Sequence, residues 1–170
     1  MQKNINCFLL LACFVCCIAS FGQTVISVKD FQPVIGSWQG SLTYLDYTTN
    51  KPYTMSANVI IEQLGRSSKF TFMNSFPEEP NANWTDTFTI SADGKMLNKE
   101  TVTRKKRLSN GNLEIVTEEM SIDGNEKKPA LIRHTYTIGK NVFMKKKEVK
   151  FVGTGLWIKR NEYRYIRAKK

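Results

Sequence analysis

The chain has 170 residues, of which 41% are hydrophobic and 11% aromatic, enough apolar sequence for one domain with its own core. It carries 25 Lys and Arg against 15 Asp and Glu, a formal net charge of +10 at pH 7, so its surface attracts anions. All four cysteines precede residue 18, and the rest of the chain therefore has no disulfide, thiolate metal site or cysteine nucleophile.

The first 22 residues have the pattern of a secretory signal peptide. Lys3 is followed by an apolar run over 7–19, and the small residues Ser20 and Gly22 form a cleavage site after residue 22. The apolar run is shorter than the roughly 20 residues that a membrane-spanning helix needs. We therefore expect export to the periplasm, the outer surface or the extracellular medium.

A lipoprotein signal is the alternative for this segment, because residues 10–13 (Leu-Leu-Ala-Cys) resemble a lipobox that would be acylated at Cys13. Apolar sequence continues beyond this cysteine, which favours simple cleavage after Gly22. The expected mature chain is then a single domain over 23–170. We expect no nucleic-acid partner, because the chain is expected to be exported and no base-stacking or zinc-knuckle pattern indicates one.

Residues 24–35 predict a short helical lead-in, with apolar side chains at roughly helical spacing until Pro33 interrupts them. The segment 36–47 then alternates as a half-buried strand, with Trp38, Leu42 and Tyr44 on one face. Gly36 and Gly40 permit a bend or a close approach of a neighbouring strand.

From residue 36 onward, strand-like runs are separated by turn sequences such as Asp93-Gly94, Asn110-Gly111 and Asp123-Gly124. Short connections favour antiparallel pairing of sequential strands, and one long meander loses its free edges by closing into a barrel. The sequence predicts an all-β, single antiparallel up-and-down barrel of about eight to ten strands, with runs at 36–47, 53–64, 68–76, 84–90, 95–106, 112–122, 130–138, 142–152 and 156–167.

Gly36-Ser37-Trp38 at the start of such a meander resembles the lipocalins and the wider calycin superfamily. The resemblance implies a lipocalin-like barrel in which a basic residue near the end of the last strand packs across the indole, a role for Arg164 or Arg167. Two features depart from the lipocalin pattern. Residues 85–87 match the second lipocalin signature only in part, and no C-terminal helix follows the last strand. The intracellular fatty-acid-binding proteins share the Gly-x-Trp, but they insert a helical lid where this chain has the short turn 48–52.

Gly36-x-Trp38-x-Gly40 also resembles the haem-binding nitrobindin barrels, and that resemblance implies an axial haem ligand at His134, the only histidine. His134 shares a strand face with Ile132 and Tyr136. The simpler interpretation is a core or rim histidine that is hydrogen-bonded to a neighbour, and we expect no cofactor.

Catalytic patterns are sparse. The sequence has no Gly-x-Ser-x-Gly and no second histidine for a metal site, so we expect a non-enzymatic protein. A carboxylate pair such as Asp86 with Glu100 remains open as an acid and base. Glu118 and Glu119 are adjacent on a strand and cannot both enter one cavity.

Aromatic residues recur at strand spacing around the predicted barrel. A barrel of this size either fills its interior or leaves room for one small apolar molecule, and the pattern favours neither alternative. The candidate cavity residues are Trp38, Tyr44, Phe70, Phe72, Trp84, Phe88, His134, Tyr136, Lys146, Tyr163 and Arg164.

Two basic runs, 104–107 and 145–147, complicate this alternation, because successive strand side chains point to opposite faces and an unpaired inward cation is unfavourable. The run 104–107 ends just before a turn, where both faces are wet. For the second run we predict that Lys146 lies at the open mouth and favours anionic amphiphiles.

The leading hypothesis is thus an exported, monomeric lipocalin-like protein that binds a small hydrophobic or amphiphilic ligand. The alternative is a solid barrel that acts as an interaction module, with its basic surface on an anionic envelope surface. A lipid-active or haem-binding barrel is the third hypothesis.

Overall fold

The computed structural model describes residues 24–46 and 48–168, and it shows an all-β, nearly closed antiparallel barrel. The signal-peptide prediction for 1–22, its cleavage site and the lipobox at Cys13 lie outside the described residues. A four-residue helix, α1 (Val28–Phe31), and a 3-10 turn (Gln32–Val34) confirm the predicted lead-in. Ten strands follow: β1 (Gly36–Leu45), β2 (Pro52–Gln63), β3 (Lys69–Ser75), β4 (Trp84–Thr89), β5 (Met96–Leu97), β6 (Glu100–Arg107), β7 (Leu113–Asp123), β8 (Lys128–Ile138), β9 (Val142–Phe151) and β10 (Ile158–Arg167).

The strands pair in the order β4-β3-β2-β1-β10-β9-β8-β7-β6-β5, so the meander closes by pairing its first strand with its last. The seam of the barrel lies between β4 and β5, which the described residues join through the bridge between Ile90 and Leu97 and the hydrogen bonds between Thr89 and Asn98. The predicted strand count and topology are confirmed, and none of the helices among the described residues has the length and apolar character to cross a bilayer.

The run predicted as one strand over 95–106 is two strands. Asn98 adopts a left-handed backbone conformation with φ of 57°, and its backbone amide and side chain both bond to Thr89. This tight turn pairs Leu97 with Glu100 and folds β5 back against β6. Asparagine tolerates positive φ better than most residues, which is why the chain reverses here without a glycine.

The two glycines of β1 have the roles that the sequence predicts for them. Gly36 has φ of 120°, a conformation that residues with a Cβ rarely adopt. A Cβ at Gly40 would lie 1.9 Å from the Arg164 carbonyl oxygen, so the close approach of β10 to β1 requires the absence of a side chain.

The lead-in closes one end of the barrel over the buried indole of Trp38. The indole Nε1 donates to the Val34 carbonyl at 2.6 Å, and the Arg167 guanidinium lies 4.2 Å from the ring centroid. Arg167 also donates to the Ile35 and Pro33 carbonyls, which ties the last strand to the lead-in. The predicted cation over the indole is therefore Arg167.

The basic run 104–107 lies at the same end. Lys105 reaches the lead-in and forms an ion pair with Asp30 at 2.8 Å. Lys105 lies opposite the buried Ile115 and is neutralised by Asp30, whereas Arg104 and Lys106 are about half exposed.

Candidate functional site

The candidate functional site is an internal cavity beside the seam, where charged, polar and aromatic side chains meet. Inward side chains of β2, β3, β4, β9 and β10 form it, because alternate residues of each strand point into the barrel. Its volume is about 20 Å³, space for about one water molecule. It is lined by Val59, Phe72, Asn74, Trp84, Asp86, Phe88, Phe143, Lys145, Tyr163 and Tyr165.

The aromatic rings of this cavity pack against one another and fill most of the interior. Phe72 and Phe88 stack with ring centroids 4.0 Å apart, and Phe143 stacks on Tyr165 at 5.9 Å. Burial raises the pKa of the Tyr163 phenol to about 12, so the hydroxyl is neutral at physiological pH and can donate a hydrogen bond. Trp84 is 42% exposed and places an aromatic surface at the outer side of the cavity.

Lys145 brings a cation into this aromatic interior. It follows Phe143 at the strand period on β9, and its Nζ lies 4.8 Å from the centroid of the Phe88 ring. Burial lowers the pKa of the Lys145 ammonium, and the carboxylates of Asp86 and Glu100 partly oppose that shift. The barrel wall encloses most of the side chain, yet part of its surface opens into the cavity. Among the described residues, no carboxylate lies within ion-pair distance of Lys145.

A hydrogen-bonded polar cluster lies next to the cavity, on β6, β7 and β8. His134 Nδ1 is 2.9 Å from both carboxylate oxygens of Glu100, and the hydroxyl of the fully buried Thr117 donates to the same carboxylate. Burial alone would raise the pKa of the Glu100 carboxyl, but the His134 and Thr117 contacts outweigh it, so the pKa lies below its ordinary value. Burial and the Glu100 charge raise the pKa of Tyr136, which stays protonated.

A second ionic cluster lies inside the other end of the barrel. Asp123 accepts hydrogen bonds from Lys147 and Arg160, each at 2.7 Å. Burial opposes ionisation of Asp123, but these two cations lower the pKa of its carboxyl. Lys147 is therefore inward, as Lys145 is, and it is neutralised by a partner.

The predicted cavity residues divide into three groups. Phe72, Trp84, Phe88 and Tyr163 line the cavity, and His134 and Tyr136 lie beside it. Trp38 and Phe70 belong to the packed core beneath α1, where Phe70 contacts Phe31, and Tyr44 packs against Tyr53 towards the opposite end.

Lys146 and Arg164, the third group, point away from the interior, so both predictions of their placement are wrong. Lys146 forms an ion pair with Glu148 at 3.0 Å on the outer face of β9. Arg164 is 62% exposed and donates to Glu162 at 2.6 Å. Side chains alternate between the two faces of a strand, so Lys146 and Arg164 point outward because their neighbours Lys145 and Tyr163 point inward.

The sequence contained only part of the signal that places Lys145. Phe143, Val149 and Phe151 share the parity of Lys145, whereas Val142 and Met144 share that of Lys146, and the structure buries Phe143 and Val149. The possible acid–base partners Asp86 and Glu100 both face the interior near Lys145, while Glu118 turns outward and pairs with Arg133 at 2.7 Å.

The residues around His134 do not fit a haem. Ligand pockets generally occupy about 300–1,000 Å³, and the cavity beside this ring is far smaller because aromatic side chains fill the barrel. The described residues also include no cluster of three or more His, Cys, Asp or Glu that could hold a metal ion.

The fold defines a β-barrel protein, and comparisons with known proteins add no narrower class. No protein-family model matches the chain, and no curated protein matches it. Matching solved structures include the crystal structure of Rv2717c from M. tuberculosis, at 15% identity and a TM-score of 0.49, over 83% of this chain and 96% of that chain. We draw no functional argument from a likeness at this level.

Proposed function

We propose that the protein is an exported, lipocalin-like barrel that binds a small amphiphile, with the anionic head at Lys145 and the apolar part against the aromatic wall. The observation that carries this proposal is the enclosed Lys145 ammonium beside the cavity. An ammonium in an apolar interior is unfavourable unless it is paired, and a carboxylate ligand would supply the pair. The neutral Tyr163 hydroxyl lines the same cavity and offers a second donor.

Ligand entry requires side chains to move, because the cavity has the volume of about one water molecule. β4 is the wall best placed to move. It pairs with β3 along its length, but across the seam the described residues hold it only near Thr89 and Ile90. Its Trp84 and Phe88 therefore lie on a strand that can separate from β5 with little loss of pairing.

The test compares decanoic acid with decanol on the full-length protein by titration calorimetry. Unsubstituted protein should bind the acid about tenfold more tightly than the alcohol, since a charge-assisted hydrogen bond contributes about 1.5–3 kcal/mol. Lys145→Met should abolish that preference. Lys146→Met is the matched control, because it removes the neighbouring charge from the outer face, and it should preserve the preference.

An equal preference for the acid in both variants would refute the role of Lys145. Failure of every protein to bind either compound would favour a second candidate function, a non-catalytic interaction module with a solid barrel. The observation that favours this candidate is the small volume of the cavity.

Export is part of the same proposal and rests on residues 1–22. N-terminal analysis of the protein recovered from the cell envelope or medium should give Gln23. An acylated Cys13 would show anchoring as a lipoprotein instead.

A further inference from the structure

Exposed apolar side chains gather on the outer face of the barrel at the end remote from α1. Met120 is 64% exposed, Ile122 55%, Val152 66% and Leu156 78%. These four residues come from β7 and from the loop between β9 and β10. Isolated exposed apolar residues are ordinary on protein surfaces, but contiguous patches mark interaction surfaces.

Strand pairing makes this surface contiguous. Met120 lies opposite Leu131, which in turn lies opposite Lys150. On the next rung Ile122 lies opposite Pro129, whose carbonyl accepts the Val152 amide at 3.1 Å. Neighbouring outward residues on antiparallel strands have side chains in contact range, so the apolar surface crosses β7 and β8 and continues onto the loop after β9.

Cations border the apolar residues, and a tryptophan joins the two. The Arg133 guanidinium lies 3.8 Å from the centroid of the Trp157 ring, and Lys150 Nζ lies 5.2 Å from it. Trp157 directly follows the most exposed residue of the patch, Leu156. We call this surface, consisting of Met120, Ile122, Pro129, Leu131, Val152, Leu156, Trp157, Arg133 and Lys150, the apolar-basic face.

We propose that the apolar-basic face docks on the surface of an anionic lipid bilayer. Apolar side chains that enter the headgroup boundary, together with lysine and arginine that meet anionic lipids, are the two components of peripheral membrane binding. Tryptophan suits that boundary because its ring is amphipathic. The net charge of +10 adds long-range attraction to the same surface.

A bilayer explains this surface better than a second copy of the chain. Glu118 neutralises Arg133 at 2.7 Å, but self-association through the face would still bring Lys150 of two copies together, and like charges in an interface are repulsive. An anionic bilayer is complementary to both the apolar centre and the basic border. The inference is independent of any ligand in the interior, because every residue of the face points outward.

Co-sedimentation of the full-length protein with phosphatidylcholine vesicles and with vesicles containing phosphatidylglycerol tests the proposal. Binding should require the anionic lipid and weaken as salt is raised. The double variant Met120→Ser, Ile122→Ser should reduce affinity at least about tenfold, because two apolar anchors are lost. Lys150→Ala should reduce it about fivefold.

Ile166→Ser is the matched control, since Ile166 is 66% exposed but pairs with Gln39 and Val142 near the end that α1 closes. It should leave vesicle binding unchanged. All variants share residues 1–22, whose contribution is therefore common to them. Brominated phosphatidylglycerol gives a local readout: it should quench tryptophan emission, and Trp157→Phe should remove most of that quenching.

Vesicle binding that is equally sensitive to Ile166→Ser and to the double variant would overturn the proposal, as would quenching that survives Trp157→Phe. A concentration-dependent dimer that the double variant abolishes, without anionic vesicle binding, would assign the face to self-association instead.

Discussion

Replacing Lys145 by methionine should make the protein more stable, although the residue is central to the proposed function. Removing an ammonium from water costs several kcal/mol. The contact with the Phe88 ring, 4.8 Å from Nζ, offsets up to about 2 kcal/mol of this desolvation cost. Asp86 and Glu100 also attract the charge, but they form no ion pair with it. Methionine is unbranched and of similar length, so it keeps the contact with Phe88. We expect Lys145→Met to raise the free energy of unfolding at pH 7 by about 1–3 kcal/mol.

The effect should depend on pH with a definite sign. Burial lowers the pKa of Lys145 in the folded protein below that of the unfolded chain. The cost of burying the Lys145 ammonium is therefore greatest at pH values where the folded and the unfolded protein both carry the proton. This cost falls as pH rises through the folded pKa towards the unfolded value of about 10.4. The advantage of Lys145→Met should shrink as pH rises towards about 10. Raised tyrosine pKa values affect both proteins alike, so the difference between them isolates Lys145.

Guanidinium unfolding monitored by circular dichroism gives these free energies, provided the slopes with denaturant agree. Lys146→Met is the control. It breaks an outer-face ion pair with Glu148 and should change stability by less than about 1 kcal/mol. If Lys145→Met destabilises the protein by more than 1 kcal/mol while the control is neutral, the ammonium is favourably paired and the reasoning fails.

Two further predictions concern the closed end and the polar cluster. Trp38→Ala should lower the free energy of unfolding by about 3–5 kcal/mol, because the buried indole loses its packing, its bond to Val34 and the Arg167 contact; a loss below about 1 kcal/mol in a denaturant melt would contradict the structure. Glu100→Gln should cost about 1–3 kcal/mol at pH 7. Since the folded pKa of Glu100 is lowered, its contribution is present above the unfolded value of about 4.3 and is lost as pH falls through the folded pKa. Unfolding measured from pH 7 to 3 should therefore show a flatter acid limb in the variant, and parallel limbs would count against the Glu100–His134 contact.

Local sequence rules predicted most of the fold because each hairpin carries its own turn chemistry. Gly94, Gly111 and Gly124 all have positive φ, as the Asp-Gly and Asn-Gly turns require. Asn98 escaped prediction because asparagine alone, without a following glycine, is a weak signal for a turn. The partner of the Trp38 indole also needed the structure, since both Arg164 and Arg167 lie near the end of β10 and only strand register distinguishes them.

The candidate site was harder to predict because its chemistry depends on which side of a strand each residue faces. A shift of one residue exchanges Lys145 for Lys146, and with it an enclosed cation for a surface ion pair. The polar cluster joins Glu100, Thr117 and His134 from three strands. Nothing local in the sequence relates a carboxylate to a histidine 34 residues away, because the register of β6 and β8 on either side of β7 brings them together.

The position of the seam connects these observations. β1 pairs with β10 along its length and closes the barrel there, so the weakly paired junction is the seam between β4 and β5. The inward residues of β4, namely Trp84, Asp86 and Phe88, form one wall of the cavity that contains Lys145. A strand that is paired along only one of its edges therefore covers the enclosed cation, which has no carboxylate within ion-pair distance among the described residues. Separation of β4 from β5 breaks few hydrogen bonds, and it exposes a cation and aromatic rings together, which is the combination that an anionic amphiphile requires.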